Sequence, residues 1–200
     1  MGIELKLQPI DWNNKQSELE NGNVDCLWNG FSKTPERDEQ FNLSIPYMKN
    51  EQIILVKTDS DYQTLEDLAG KTIGVQADSS AESALEAEEN KEFKDSLGEI
   101  VKIEDYAMAV LEIQNGTIDA ISIDEVVARF YLNNDPDAYR ILSDSDGNAF
   151  LWPQRTMSSA SGKATTLEGK VEEALREMSS DGTMKTISEE WFGEDVTTVE

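Results

Sequence analysis

Hydrophobic periodicity cuts the chain into short segments that switch repeatedly between the period of a strand and that of a helix. Ile3, Leu5 and Leu7 alternate with Glu4, Lys6 and Gln8, which predicts a strand over residues 3–10 with one polar face. A short helix over 13–20 follows, anchored mainly by Leu19, and the apolar run 24–28 reads as a buried strand. Residues 41–47 have the composition of a loop, and the apolar run QIILV at 52–56 reads as a strand. Thr64 caps a helical turn that Gly70 closes. Strands are then expected at 71–76, 101–103, 118–123 and 139–142, separated by helices at 78–89, 106–115 and 126–132. Strands alternating with helices predict parallel sheets. Beyond Gly147 the pattern weakens. A strand is expected at 149–152, stopped by Pro153, and residues 158–166 are small and polar and read as a mobile connector. Amphipathic helices follow over 167–178 and 184–192, with Trp191 and Phe192 packed as core.

The punctuation between these segments carries the candidate chemistry. Asn21-Gly22 ends a helix in the left-handed conformation that Gly tolerates, a strand follows, and Asn29-Gly30-Phe31-Ser32 forms a loop at its end. Thr34 then suits a helix N-cap and Pro35 its first turn. Arg37 lies three residues past that cap, where its guanidinium reaches toward the strand's end and a carboxylate would fit. NGTIDA at 115–120 repeats NGNVDC at 21–26, and its strand ends in Asp124-Glu125. The repeat is either a second copy of one α/β unit or the same helix-to-strand punctuation used twice. Ligands of open α/β sheets lie beyond the carboxyl ends of strands. Arg37 and Asp124, expected to face each other across a cleft from the two α/β units, therefore suit a zwitterion, each charge meeting its opposite. Asp78-Ser79-Ser80 offers N–H groups and hydroxyls at a helix start, as an anion contact or as an ordinary N-cap. Trp28 and Phe31 flank the first loop, either as pocket walls or as core.

Composition narrows the function. With 41 acidic against 17 basic residues, a net charge of -24 and a pI near 4.2, the chain lacks the clustered Lys and Arg that nucleic acid or an anionic membrane surface demands. No histidine is present, which removes the usual partner of Ser or Cys nucleophiles and the commonest metal ligand. Neither a metal nor a cofactor is expected, nor an enzymatic activity. The single cysteine, Cys26, lies in an apolar run and reads as a buried core thiol. No run has the length of a membrane-spanning helix, and MGIELKLQPI has no signal-peptide pattern.

Four blocks, VDCLWNGFSKTPERDEQFNLSIPY, LEDLAGKTIGVQADSSAESAL, NGTIDAISIDEV and EEALREMSSDGTMKTISEEWFGED, resemble the polar-amino-acid solute-binding proteins of ABC importers, bacterial extracellular solute-binding family 3. The resemblance implies an α/β, two-lobed, periplasmic-binding-protein-like fold of type II with parallel-rich sheets flanked by helices. The first lobe would comprise residues 1–51 and 149–200, and the second 52–148. It implies a periplasmic or extracellular protein that binds a free amino acid and delivers it to a membrane permease. Residue by residue, Arg37 matches the family's carboxylate-binding Arg and Asp124 its ammonium-binding acid. Asn29, Gly30, Phe31 and Ser32 match the first-lobe contact loop, and Ser79 and Ser80 the second-lobe turn. The family places a further strand and helix ahead of residue 3, about forty residues by the size of such a unit. Without them the first lobe is expected to be incomplete. It would be rearranged or completed by a second copy in a homodimer, with weakened ligand binding. A sensor domain of the same fold is the other alternative.

Overall fold

The structure is a computed structural model that describes residues 2, 4–144, 155–162 and 166–199. Its backbone divides into two units, Met1–Asn50 with Gln154–Glu200, and Glu51–Pro153.

In the first unit Asp11 accepts the Asn13 N–H at 3.0 Å and starts a 3-10 turn over Trp12–Asn14, which runs into helix α1 (Lys15–Glu20). Gly22, at φ +71°, turns the chain toward strand β1 (Cys26–Leu27). Helix α2 (Pro35–Gln40) leads into β2 (Asn42–Leu43), β3 (Met48–Asn50) follows, and after residue 154 come β9 (Arg155–Met157) and β10 (Ala160–Ser161). β10 lies between β1 and β2, antiparallel to both, and β3 pairs antiparallel with β9. Leu19, Leu27, Phe31, Phe41, Leu43 and Ala160 form the core, with Ile10, Trp12 and Val24 against it. Helices α7 (Leu167–Ser180) and α8 (Thr183–Phe192) bury Val171, Leu175 and Met184.

The second unit is a single sheet of β4 (Gln52–Lys57), β5 (Thr72–Gln76), β6 (Glu99–Ile103), β7 (Ala120–Asp124) and β8 (Tyr139–Leu142) in the order β6-β5-β7-β4-β8. Helices α3 (Ser80–Leu85) and α4 (Lys91–Ser96) lie between β5 and β6, α5 (Tyr106–Asn115) precedes β7, and α6 (Glu125–Asn134) precedes β8. Each helical crossover returns the chain in the same direction, so β5 is parallel to β6 and β7. β4 enters without such a crossover and runs antiparallel to both β7 and β8. Its five apolar-run residues Gln52, Ile53, Ile54, Leu55 and Val56 are all buried, the signature of a strand covered on both faces.

Several expectations change. Residues 4–10 carry no strand, and Leu5 and Leu7 are 78% and 83% exposed, because nothing among the described residues pairs with them. The 24–28 strand shrinks to two residues. The second unit's sheet is mixed rather than parallel, and 78–89 is not one helix: α3 stops at Leu85 and a second helix forms at 91–96. Ser158, Ser159, Ala160 and Ser161, expected in a mobile connector, are buried, the last two as β10. Cys26 is half-buried and burial, then Asp25, raises its thiol pKa. Trp191 is 52% exposed rather than core. The expected strand at 149–152 lies outside the described residues.

Candidate ligand-binding residues of the two units

In the first unit, β1 leads into a loop whose shape depends on Gly30. Its φ of +81° suits glycine, and an added Cβ would lie 3.0 Å from Met157 Cε. Phe31 then turns fully inward, edge-on to Trp12 at 5.7 Å and to Phe41 at 5.2 Å between ring centres. Ser32, also fully buried, bridges to Met157, and the Ser158 N–H donates to the Phe31 carbonyl at 2.9 Å. The loop is thereby tied by backbone pairing to residues 156–158, since the Lys33 N–H also donates to the Thr156 carbonyl at 2.8 Å. Thr34 Oγ1 accepts the Arg37 N–H at 3.2 Å and Pro35 occupies the first turn of α2.

That cap sets Arg37 back over its own loop. Nη1 donates to the Ser32 carbonyl at 3.0 Å, and the guanidinium carbon lies 4.4 Å from the centre of the Phe31 ring. A hydrogen bond and a cation–π contact hold the planar fork in place. Tyr47 braces the other side: burial pushes its pKa up to about 12, while hydrogen bonds from the Gly30 backbone and Trp28 pull the other way. Gly30, Phe31, Ser32 and Arg37 are thus brought together. Phe31 is core and serves as the shelf for Arg37, whereas Asn29 and Trp28 are exposed.

In the second unit, β5, β7 and the antiparallel β4 bring Gln76, Asp124 and Gln52 to one end of the sheet, and register places Gln52 opposite Asp124. Asp124 is 7% exposed and precedes α6 as its N-cap, yet its carboxylate does not cap the helix. It accepts instead from Gln52 Nε2 at 2.7 Å and from the Tyr106 hydroxyl at 3.0 Å. Burial, and then the Asp124 charge, holds the Tyr106 pKa well above its usual value, so this phenol stays a neutral donor. Both of these donors are neutral groups, and they fix the orientation of the carboxylate at the carboxyl end of β7.

Ser79 caps α3, its Oγ accepting the Glu82 N–H at 3.1 Å, and it also hydrogen-bonds Tyr106. Ser80 Oγ accepts from Gln52 Nε2 at 3.4 Å. The structure therefore gathers Ser79, Ser80 and Asp124 and adds Gln52 and Tyr106, which sequence reasoning missed. Gln52 reads as the polar head of an apolar strand and Tyr106 as a helix start. Only the pairing register and the step from Asp105 into α5 turn them toward Asp124.

A mixed sheet with its buried acid at a strand's carboxyl end, and a separate α/β unit assembled from both ends of the chain, define a periplasmic-binding-protein-like fold. It superposes with a TM-score of 0.84 on an ABC uptake transporter substrate-binding protein from Streptococcus pneumoniae with bound histidine, at 36% identity over 98% of this chain and 79% of that one. The family model of bacterial extracellular solute-binding proteins, family 3, matches residues 1–194, and the chain belongs to that family. Among relatives, the arginine-binding extracellular protein ArtP of Bacillus subtilis is 31% identical over 96% of this chain and 72% of its own length. The L-cystine-binding protein TcyJ of Escherichia coli K12 is 28% identical over 98% and 71%.

Proposed function

We propose that the chain binds a free amino acid outside the cytoplasm and delivers it to the membrane permease of an ABC importer. The observation that carries this reading is the buried Asp124 carboxylate held by two neutral donors, in a family whose members above are arginine-, cystine- and histidine-binding proteins. In this reading Asp124 takes the α-ammonium and Arg37 the α-carboxylate of one ligand. Arg suits that task because its fork matches a carboxylate bidentately, which Lys cannot do. The Asn29–Ser32 loop supplies further backbone and hydroxyl contacts to the ligand, and Ser79 and Ser80 contact it from the second unit. In this reading the chain is a binder rather than a catalyst, in keeping with a family of solute-binding proteins. Calorimetric titration with the twenty amino acids and cystine tests the proposal. Saturable binding of one or a few supports it, and no heat with any of them overturns it.

Exposed Leu5 and Leu7, alternating with polar residues in a segment without helix or strand, favour one second reading. β1 is an edge strand among the described residues, and residues 4–10 of another copy could pair there to form a homodimer. Light scattering that gives the mass of a monomer at all concentrations excludes it.

A further inference from the structure

Asp78 lies between the end of β5 and the start of α3, and among the described residues it is the one with a positive φ, 55°, that is not glycine. L side chains disfavour this left-handed region, Asp less than most, so the conformation has to be held by its surroundings. Both neighbours of Asp78 are anchored. The Ala77 N–H donates to the Ile103 carbonyl at 3.0 Å, and the Ser79 carbonyl accepts the Ser83 N–H at 3.2 Å. The change of direction from strand to helix therefore falls on Asp78.

Ser79-Ser80-Ala81-Glu82 has the form of a capping box, in which the acid reaches back to the N–H of the capping residue. Here it reaches one residue further. Glu82 Oε2 accepts the Asp78 N–H at 2.6 Å, while the Glu82 N–H donates to Ser79 Oγ. Glu82 Oε1 pairs with Lys102 of β6, the strand beside β5. With its side chain 16% exposed, Glu82 makes these contacts largely out of water, where they are stronger. We propose that Glu82 is a positioning residue for ligand binding: it holds the Asp78 N–H, keeps Asp78 left-handed and so sets the direction in which Ser79 and Ser80 leave the strand. The inference rests on the ligand contacts proposed above for Ser79 and Ser80, and adds the group that fixes them. Glu82 acts through Asp78 and not by touching the ligand.

The test is calorimetry with the tightest-binding amino acid from the panel, on variants shown by circular dichroism to be folded. Glu82→Ala is expected to weaken binding about tenfold, the scale of one hydrogen bond to a charged group. Glu82→Gln keeps an acceptor for the Asp78 N–H and gives up only the charge paired with exposed Lys102, so it is expected to stay within about threefold of wild type. Glycine takes a positive φ unaided, so Asp78→Gly in the Glu82→Ala background is expected to recover most of the lost affinity. Asp78→Val gives an independent route, because a β-branched side chain resists the left-handed region, and it is expected to weaken binding with Glu82 intact. A folded Glu82→Ala that binds as wild type would assign Glu82 to stability alone and overturn its role in binding. So would an Asp78→Val that binds as wild type, or a double variant that binds no better than Glu82→Ala. In each of these outcomes amino-acid binding itself stands, whereas a wild type that binds no amino acid would overturn both.

Discussion

The Arg37 guanidinium carbon stands 4.4 Å above the centre of the Phe31 ring, and Phe31 is a fully buried member of its unit's core. The cation proposed to meet the ligand is therefore positioned by packing, so ligand affinity and core integrity are coupled through one side chain.

Phe31→Leu keeps an apolar side chain but removes the flat ring. It should cost about 1 kcal/mol of stability, in the range of conservative core swaps. Amino-acid affinity should fall several-fold as Arg37 loses its shelf. Urea denaturation and calorimetry on the same variant check both, and unchanged binding in a folded Phe31→Leu would detach Arg37 from the ring.

Gly30→Ala places a Cβ on a residue at φ +81° and 3.0 Å from Met157 Cε. The flexible Met157 end can shift, but the left-handed backbone remains unfavourable, at about 1–2 kcal/mol. The expected result is a lower denaturation midpoint together with weaker ligand binding, because the loop from Gly30 to Ser32 carries the carbonyl that holds Arg37. Wild-type stability in this variant would mean that the loop relaxes to a right-handed conformation without cost.

Alkaline pH should destabilise the protein through its tyrosines. Tyr47 and Tyr62 are pushed up to about 12, both chiefly by burial, and Tyr106 and Tyr131 are raised as well. In the unfolded chain the same phenols ionise near their ordinary value of about 10. Their contribution is complete below about pH 10 and is lost as pH rises toward about 12, because the unfolded state releases its protons first. Denaturation midpoints should fall across that window, and less steeply in Tyr47→Phe. A midpoint that stays level to the top of the window would contradict the assignment.

How much of this was legible in the sequence depended on whether a residue's role was local. The α2 cap was readable because Thr34, Pro35 and Arg37 act within one turn, and β4 because a run of five buried residues leaves little else. β10 was not readable: its Ala160 and Ser161 are small and carry no alternating hydrophobic signal, and its place between β1 and β2 is set by backbone pairing with both neighbours. The direction of β4 and the partnership of Gln52 with Asp124 were hidden for another reason. Both arise from pairing between strands separated by most of the second unit. The strand over residues 3–10 failed in the opposite sense, since alternation is only a propensity until another strand supplies its hydrogen bonds.

Two complementary ligand analogues test most directly the claim that Arg37 and Asp124 recognise the two charges of an amino acid. The tightest-binding amino acid is titrated beside its α-carboxamide and its desamino acid, against wild type, Arg37→Ala and Asp124→Asn. In the wild type each analogue should lose at least about tenfold, corresponding to about 1.5–3 kcal/mol for a hydrogen bond to a charged group. Arg37→Ala should stop distinguishing the carboxamide while still rejecting the desamino acid, and Asp124→Asn should do the reverse. Equal losses for both analogues in both variants, or analogues that bind the wild type as well as the amino acid does, would contradict the account.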